Sequence, residues 1–251
     1  MFGKKPKQKS VNINPLMVVM SPRDFKITWY WLDKIDFLDK LIIKYYLHHI
    51  AHEIARDFFL KHREYTHFLI VTDDVIVTPS HVIQLIKDYL QYKYPIISCY
   101  CNWEWSNDWC NITDKDMRKT LVFSPYQYNF YRIKEMLGLV DQGKIEFPLK
   151  RVFFVGLPCT LIERWVVEKI GFRPYKYIFD SSLGVQARRG IMFDLQFCID
   201  CANNNIPIYV DLRCLLVHMG NTRRYINLKG KKPRVDFVRR KRSLGSVLNL
   251  V

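Results

Sequence analysis

The sequence of 251 residues lacks any run of about 20 apolar residues, which is the length that a membrane-spanning helix needs. The segment 1–14 also lacks the apolar stretch of a secretory signal peptide. From these two absences we expect a cytoplasmic protein. With 49% hydrophobic and 15% aromatic residues the chain can bury a full core, which excludes a disordered protein. We expect one α/β domain flanked by tails.

Two familiar metal-binding patterns are also missing. The seven cysteines are odd in number and lack the paired spacing of a zinc ribbon, so we expect most of them to be buried thiols rather than disulfide or metal-binding residues. His48 and His52 are one helical turn apart, but His49 follows His48 where a zinc hydrolase of the H-E-x-x-H type has glutamate. We therefore expect an ordinary helix surface there.

Negative charge is scarce at both ends of the chain. Four lysines lie in residues 1–14, and ten lysines and arginines lie in residues 223–251 against Asp236 alone. These two segments carry most of the net charge of +15. We interpret them as basic N- and C-terminal tails, and expect the C-terminal tail to make peripheral contact with an anionic membrane. Nucleic acid is the alternative anionic partner.

Asp73 and Asp74 are the two carboxylates on which the functional prediction depends. They follow residues 67–71, which are apolar almost throughout, as is typical of a strand buried on both faces of a parallel sheet. An unpaired carboxylate in such an interior costs several kcal/mol, so we place both at the sheet edge where ligands of open α/β sheets bind. Thr78 and Pro79 then predict the N-cap and first residue of a helix.

The remaining elements predict a mostly parallel sheet flanked by helices. Residues 15–20 predict a strand whose turn brings Ser21 and Arg23 to the same edge, either to contact a nucleotide or as a solvated turn. Further strands are expected over 94–100, 152–156, 206–210 and 214–220. Helices are expected over 36–62 with one break, from 159 or 160, and over 191–203.

Four polar residues near the ends of these elements are candidates for a site. Asp194 lies in the first turn of a helix, where the helix dipole favours a carboxylate on structural grounds alone. His218 ends a strand, where a satisfied polar cap is the alternative to a ligand. Arg188 and Arg189, in the preceding loop, would clamp a phosphate or lie on a solvated surface.

Taken in order, these features resemble the GT-A fold glycosyltransferases, especially the inverting, family-2-like enzymes that use nucleotide-sugar donors. Thr72-Asp73-Asp74 is similar to the family's acidic D-x-D motif. Residues 156–164 (G-L-P-C-T-L-I-E-R) are similar to its G-x-x-x-L-I-x-R helix near the acceptor. Residues 193–198 (F-D-L-Q-F-C) are similar to its E-D-x-x-F-C helix start, and residues 216–218 (L-V-H) to its strand ending in histidine. Two residues depart from the pattern, since Thr72 opens the acidic motif and Phe193 precedes the base.

The resemblance implies a GT-A, Rossmann-like domain over residues 15–222. Residues 15–100 would bind the nucleotide sugar, a UDP- or GDP-sugar, and residues 101–222 would supply the acceptor and catalytic half. Asp74 would bind Mn²⁺ or Mg²⁺, with His218 completing the sphere and Asp73 contacting the ribose or the metal's waters. Asp194 would be the general base, which implies inversion. The acceptor would be a glycan, a lipid or a protein.

Elementary chemistry agrees with these roles. A nucleoside diphosphate leaves with concentrated negative charge, which a divalent cation held by oxygen ligands neutralises. The attacking hydroxyl must lose a proton to a separate base. Two alternatives stay open. One is a metal-dependent nuclease or nucleotidyltransferase in which Asp73, Asp74 and Asp194 bind two metals. The other is a non-catalytic, anion-binding protein of the same fold.

Overall fold

The computed structural model describes residues 13–21, 26–46, 48–103, 106–119, 130–173, 193–219 and 230–248. Within these ranges the strands are β1 (Pro15–Ser21), β2 (Asp39–Lys44), β3 (His67–Thr72), β4 (Val75–Ile76), β5 (Ile96–Trp103), β6 (Ser106–Cys110), β7 (Ile112–Thr113), β8 (Leu149–Val152), β9 (Phe154–Val155), β10 (Cys159–Glu163), β11 (Ile208–His218) and β12 (Arg234–Val238). The helices are α1 (Lys26–Lys34), α2 (His48–Lys61), α3 (Pro79–Tyr92), α4 (Ile133–Asp141), α5 (Arg164–Lys169), α6 (Phe193–Asn203) and α7 (Leu244–Leu248).

One large mixed sheet organises the domain, in the order β12-β2-β1-β3-β10-β5-β11-β4, with β6 and β8 paired to β5 and β11. Strands β1, β2 and β3 are parallel, and β5 is parallel to β11. Strand β10 runs antiparallel to both of its neighbours, β3 and β5, so β3 and β5 point the same way. The α/β class is therefore confirmed, but a mostly parallel sheet is not, because β4, β6, β8, β10 and β12 all pair antiparallel.

Helices cover both faces of the sheet, which makes a single domain of three layers. On one face α2, α5 and α6 share a core with alternating side chains of the sheet, including Leu16, Val18 and Leu41. On the other face α1, α3 and α7 cover the intervening residues, including Met17 and Val19. Strands β1 and β3 are buried on both faces, as their continuous apolar sequences predict. All seven cysteines are free and buried, as expected.

Three predicted elements differ from the structure. Residues 36–62 hold strand β2 followed by helix α2, because the apolar residues after Asp39 face a two-sided core rather than one helical stripe. The helix expected from 159 or 160 is strand β10, and the helix α5 begins only at Arg164. The two strands expected over 206–220 are the single strand β11, interrupted by a register shift between Val210 and Leu215.

Residues 230–248, predicted as part of a basic tail, instead pack on the domain. Strand β12 pairs antiparallel with the outer edge of β2, and Leu244 and Val247 of α7 are buried in the core. The guanidinium groups of Arg239 and Arg242 pair with Asp39 and Asp36. These aspartates neutralise part of the positive charge that the sequence concentrates here.

Among the described residues, no helix combines the length and the apolar character needed to cross a membrane.

Candidate functional site

Four strands of the sheet run in the same direction and place polar residues at their carboxyl ends. We call the side of the sheet formed by these strand ends its carboxyl edge. Ser21 ends β1, Asp73 follows β3, Asn102 lies near the end of β5 and His218 ends β11. Because these strands run in the same direction, their carboxyl ends meet at the same edge of the sheet. The acidic turn therefore lies at the carboxyl ends of these strands, as the sequence predicts, but both of its carboxylates are buried.

Asp73 is fully buried and held from both sides. The hydroxyl of Ser21 donates a hydrogen bond to Asp73 Oδ2 at 3.1 Å, and the backbone N–H of Asp73 donates to the carbonyl of Met20. From α1, Thr28 Oγ1 donates to the carbonyl oxygen of Asp73 at 2.7 Å. Ser21, predicted to bind the nucleotide, is itself fully buried and supports this carboxylate. A buried carboxylate needs such donors, because without them its desolvation costs several kcal/mol.

Asp74 and His218 meet at the same turn. Strand β4 starts directly after Asp74 and pairs with the end of β11, with Val75 opposite His218. The backbone N–H of Met219 donates to the Asp74 carbonyl at 2.7 Å, which fixes the two chain segments together. As a result, His218 Nε2 lies 3.3 Å from Asp74 Oδ2, and both side chains keep a small exposed fraction, 14% and 11%. Only a small part of each side chain therefore reaches the surface.

The Asp74–His218 pair fits a divalent cation as two of its ligands. Two neighbouring ligands in an octahedral sphere of roughly 2.1 Å radius lie about 3 Å apart, close to the separation of the pair. Carboxylate oxygen suits Mg²⁺ and Mn²⁺, and an imidazole ligand favours Mn²⁺ of the two. His218 Nδ1 is buried and has no hydrogen-bond partner among the described residues. A metal at Nε2 would require Nδ1 to carry the ring proton, whereas without a metal Nε2 can donate to the Asp74 carboxylate.

No group of three or more histidine, cysteine, aspartate or glutamate side chains in the described ranges is arranged to hold a metal by itself. Cys101 is a buried thiol near this turn. Burial raises the pKa of Cys101 far above its usual value, and the charge of Asp74 raises it further, so the thiol is protonated in the absence of a metal. The remaining ligands would have to come from a bound molecule, as is usual for Mg²⁺ sites that share phosphate oxygens with a substrate.

Sequence reasoning missed two residues that build this site. Asn102 Oδ1 accepts a hydrogen bond from the backbone N–H of His218 at 3.1 Å, which ties β5 to the end of β11. Thr28 joins α1 to Asp73, as described above. A single asparagine or threonine has no pattern that marks it, and only the strand order reveals that Asn102 lies beside His218.

Asp194 lies in the first turn of α6, as predicted, with its side chain partly buried. Burial raises the pKa of its carboxyl group to about 6, against the lowering effect of the Leu195 backbone N–H, which donates to Asp194 Oδ1 at 2.9 Å. A carboxylate with a pKa of about 6 is ionised at neutral pH and is a stronger base than an ordinary aspartate.

Ring contacts fix the start of α6 on the sheet. Phe193 packs on His52 of α2 with ring centroids 4.0 Å apart, and Phe197 stacks on Phe172 at 5.1 Å. His52 lies in the second turn of α2, close to the carboxyl end of β2. Helix α6, which carries Asp194, therefore belongs to the same side of the sheet as α2, whereas α1 contacts Asp73 from the opposite side.

The three arginines predicted for the site fall outside the described residues, and a fourth arginine has a structural role. Arg23, Arg188 and Arg189 fall in the ranges 22–25 and 174–192, which are outside the described residues. Arg164 is the last residue of the segment that resembles G-x-x-x-L-I-x-R, and its side chain binds backbone carbonyl groups. Its guanidinium donates to the carbonyls of Phe59, His62 and Tyr65, so it closes the carboxyl end of α2 at the amino edge of β3.

A separate cavity of about 520 Å³ opens near the amino end of β11, at the opposite edge of the sheet. Its lining includes Asp116, Arg118 and Arg151. None of the predicted site residues that the structure describes borders it.

Together, these features define an α/β domain with a carboxylate–imidazole pair at the carboxyl edge of its sheet. Neither a scan against protein-family models nor a search of curated proteins gives a match. Among solved structures, the chain is similar to the crystal structure of A197 from STIV, with 16% identity over 83% of each chain and a TM-score of 0.47. A likeness at this level carries no argument about function.

Proposed function

We propose that the chain is a metal-dependent glycosyltransferase that moves a sugar from a UDP- or GDP-sugar to an acceptor hydroxyl, with inversion. The observation that carries the proposal is the Asp74–His218 pair, 3.3 Å apart at the carboxyl ends of β3 and β11. This is the edge of an α/β sheet where nucleotides bind. A GT-A fold belongs to the proposal, and the shared direction of β1, β2, β3, β5 and β11 supports it.

On the donor side, Asp74 and His218 would hold Mn²⁺ or Mg²⁺ against the diphosphate. When bound, the cation neutralises the charge of the leaving nucleoside diphosphate. Asp73, which Ser21 and Thr28 hold in place, would keep the turn in the orientation that presents Asp74. Its complete burial favours this supporting role over direct contact with the ribose.

On the acceptor side, Asp194 would take the proton from the attacking hydroxyl. A base with a pKa of about 6 is charged at neutral pH and still accepts a proton readily. It lies on α6, on the α2 side of the sheet, and the pair that would hold the leaving group lies on other elements. One base, with no second carboxylate assigned as a nucleophile, gives direct displacement and inversion.

A nuclease or nucleotidyltransferase with two metals is less well supported. Such a site needs several carboxylates around two ions about 3.5–4 Å apart. Within the described part of the chain, no group of three or more histidine, cysteine, aspartate or glutamate side chains could hold a metal ion.

Release of nucleoside diphosphate from a panel of UDP- and GDP-sugars, with Mn²⁺ present, tests the proposal. We expect one donor to be hydrolysed slowly without acceptor and consumed faster with acceptor. Asp74→Asn should weaken Mn²⁺-dependent binding of the nucleoside diphosphate at least tenfold in calorimetry. Asp57→Asn, which changes an exposed carboxylate on α2, is the matched control and should bind like the wild type.

Cleavage of DNA with no release from any donor would overturn the proposal in favour of the nuclease. Binding of the nucleotide by Asp74→Asn as tightly as by the wild type would remove Asp74 from the site. Tight metal-dependent binding of the nucleotide without turnover of any donor and acceptor pair would favour the non-catalytic protein.

A further inference from the structure

Helix α1 has a second apolar stripe that faces solvent. Its inner side buries Thr28 and Leu32 against the domain. Its outer side carries Ile27, Tyr30, Trp31 and Lys34 at the i, i+3, i+4, i+7 spacing of one helix face, and we call these four residues the outer stripe. Ile27 is 43% exposed and Tyr30 is 54% exposed, while Trp31 is partly buried. A helix whose outward face is apolar and aromatic is typical of a binding surface.

Positive charge surrounds the outer stripe. Lys34 Nζ lies 4.4 Å from the ring centroid of Tyr30 and 5.1 Å from that of Trp31, so the stripe carries its own cation. Lys26 is exposed at the other end of the helix, and Asp33 is the one acidic residue within α1. The surface therefore combines aromatic side chains with a net positive charge.

The folded C-terminal segment adds cations at the end of α1. The backbone N–H groups of Lys241 and Arg242 donate to the carbonyl of Asp36, two residues beyond the helix. Arg242 also pairs with the Asp36 carboxylate and cancels its charge, whereas the exposed Lys241 side chain adds a further charge. The folded segment thus fixes basic side chains next to Asp36, beyond the C-terminal end of α1.

This combination fits a lipid bilayer with anionic headgroups. Tyrosine and tryptophan prefer the membrane interface, because their rings are apolar and their polar tips reach water. Each lysine or arginine near an anionic leaflet adds a modest attraction, and stable peripheral binding needs an apolar and an electrostatic contribution together. Ile27, Tyr30 and Trp31 of the outer stripe supply the first contribution, and Lys26, Lys34 and Lys241 supply the second.

We infer that the outer stripe of α1, together with Lys26 and Lys241, docks the protein on an anionic membrane surface. This inference stands independently of the proposed enzymatic activity. It differs from binding through a flexible basic tail, because an ordered helix face makes the contact and the C-terminal segment assists from a fixed position.

Sedimentation with vesicles tests the inference on the full chain. We expect the protein to bind vesicles made from a three-to-one mixture of phosphatidylcholine and phosphatidylserine, to bind pure phosphatidylcholine at least tenfold more weakly, and to lose binding as NaCl is raised. The double variant Ile27→Ser, Tyr30→Ser should bind the anionic vesicles at least tenfold more weakly. Both side chains are exposed, so the fold should persist, and urea unfolding checks this.

Two variants complete the design. Leu137→Ser changes a side chain on α4 with a similar exposed fraction, 46%, and should bind like the wild type. Lys241→Gln should weaken binding to the anionic vesicles and reduce its salt dependence. Three results would overturn the inference: no binding by the wild type, unchanged binding by the double variant, or equal binding to neutral and anionic vesicles. A self-association that the double variant abolishes, without vesicle binding, would assign the stripe to a protein contact instead.

Discussion

Replacement of Asp194 by asparagine should stabilise the protein at neutral pH while abolishing transfer. Asparagine has nearly the same shape and keeps an oxygen that can accept the hydrogen bond from the Leu195 N–H. It removes the buried negative charge, whose burial raises the pKa of the carboxyl group from 3.8 to about 6. At full ionisation this rise corresponds to about 3 kcal/mol of stability, an upper limit for the gain.

The pH dependence gives the sign of the effect. Because the pKa of Asp194 is raised in the folded state, folding favours the protonated carboxyl group. The stability that this group contributes is fully present below pH 4 and is lost as the pH rises through about 6 and the group ionises. The amide that replaces the carboxyl group does not titrate. The advantage of the variant should therefore be largest above pH 7, fall to roughly half of that at pH 5, and disappear near pH 3.

Urea unfolding at several pH values between 4.5 and 8 measures this difference. Asp200→Asn is the control on the same helix, because the Asp200 carboxylate pairs with the exposed Arg173 and its loss should cost at most about 1 kcal/mol. If Asp194→Asn were less stable than the wild type at pH 7.5, or if its advantage were the same at every pH, the carboxylate would not be the desolvated base described here.

Three further substitutions test the supports of the site. Ser21→Ala removes the donor to the buried Asp73 carboxylate and should lower the free energy of unfolding by about 2 kcal/mol in urea titrations; no change would mean that the carboxylate is satisfied without it. Asn102→Ala releases the backbone N–H of His218 and should weaken Mn²⁺-dependent nucleotide binding about tenfold in calorimetry, whereas an unchanged Kd would show that the strand pairing alone positions the imidazole. Arg164→Lys loses the planar guanidinium contacts and should destabilise by about 2 kcal/mol while leaving the KM for the donor unchanged; a raised KM for donor or acceptor would return Arg164 to the site.

The acidic turn and the helix after it were predictable because their signals are local. A two-sided apolar strand, adjacent carboxylates and the Thr78–Pro79 cap each depend on neighbouring residues. The histidine at the end of β11 could be named for the same reason. Its distance to Asp74 could not, because that distance depends on the pairing of β4 with β11, two strands that lie far apart in the sequence.

The failures share a physical cause. The apolar residues of β2 and β10 recur at spacings that suit a helix as well as a strand, and the sheet supplies the hydrogen bonds that decide between them. The reversed direction of β10, inserted between β3 and β5, leaves no mark on its own sequence. Arg164 follows the same rule, since only the folded chain shows that it serves the carbonyls of α2.

Strand β12 has a consequence for the order in which the protein can fold during synthesis. Its partner β2 emerges from the ribosome long before it, and until β12 arrives, one whole side of β2 exposes unpaired backbone N–H and C=O groups. A pairing so distant in sequence is slow to form, and an open edge invites association between nascent chains. A protein that lacks residues 229–251 would therefore keep all residues of the candidate site but lose strand β12. We expect it to aggregate, and not only to bind an anionic membrane more weakly.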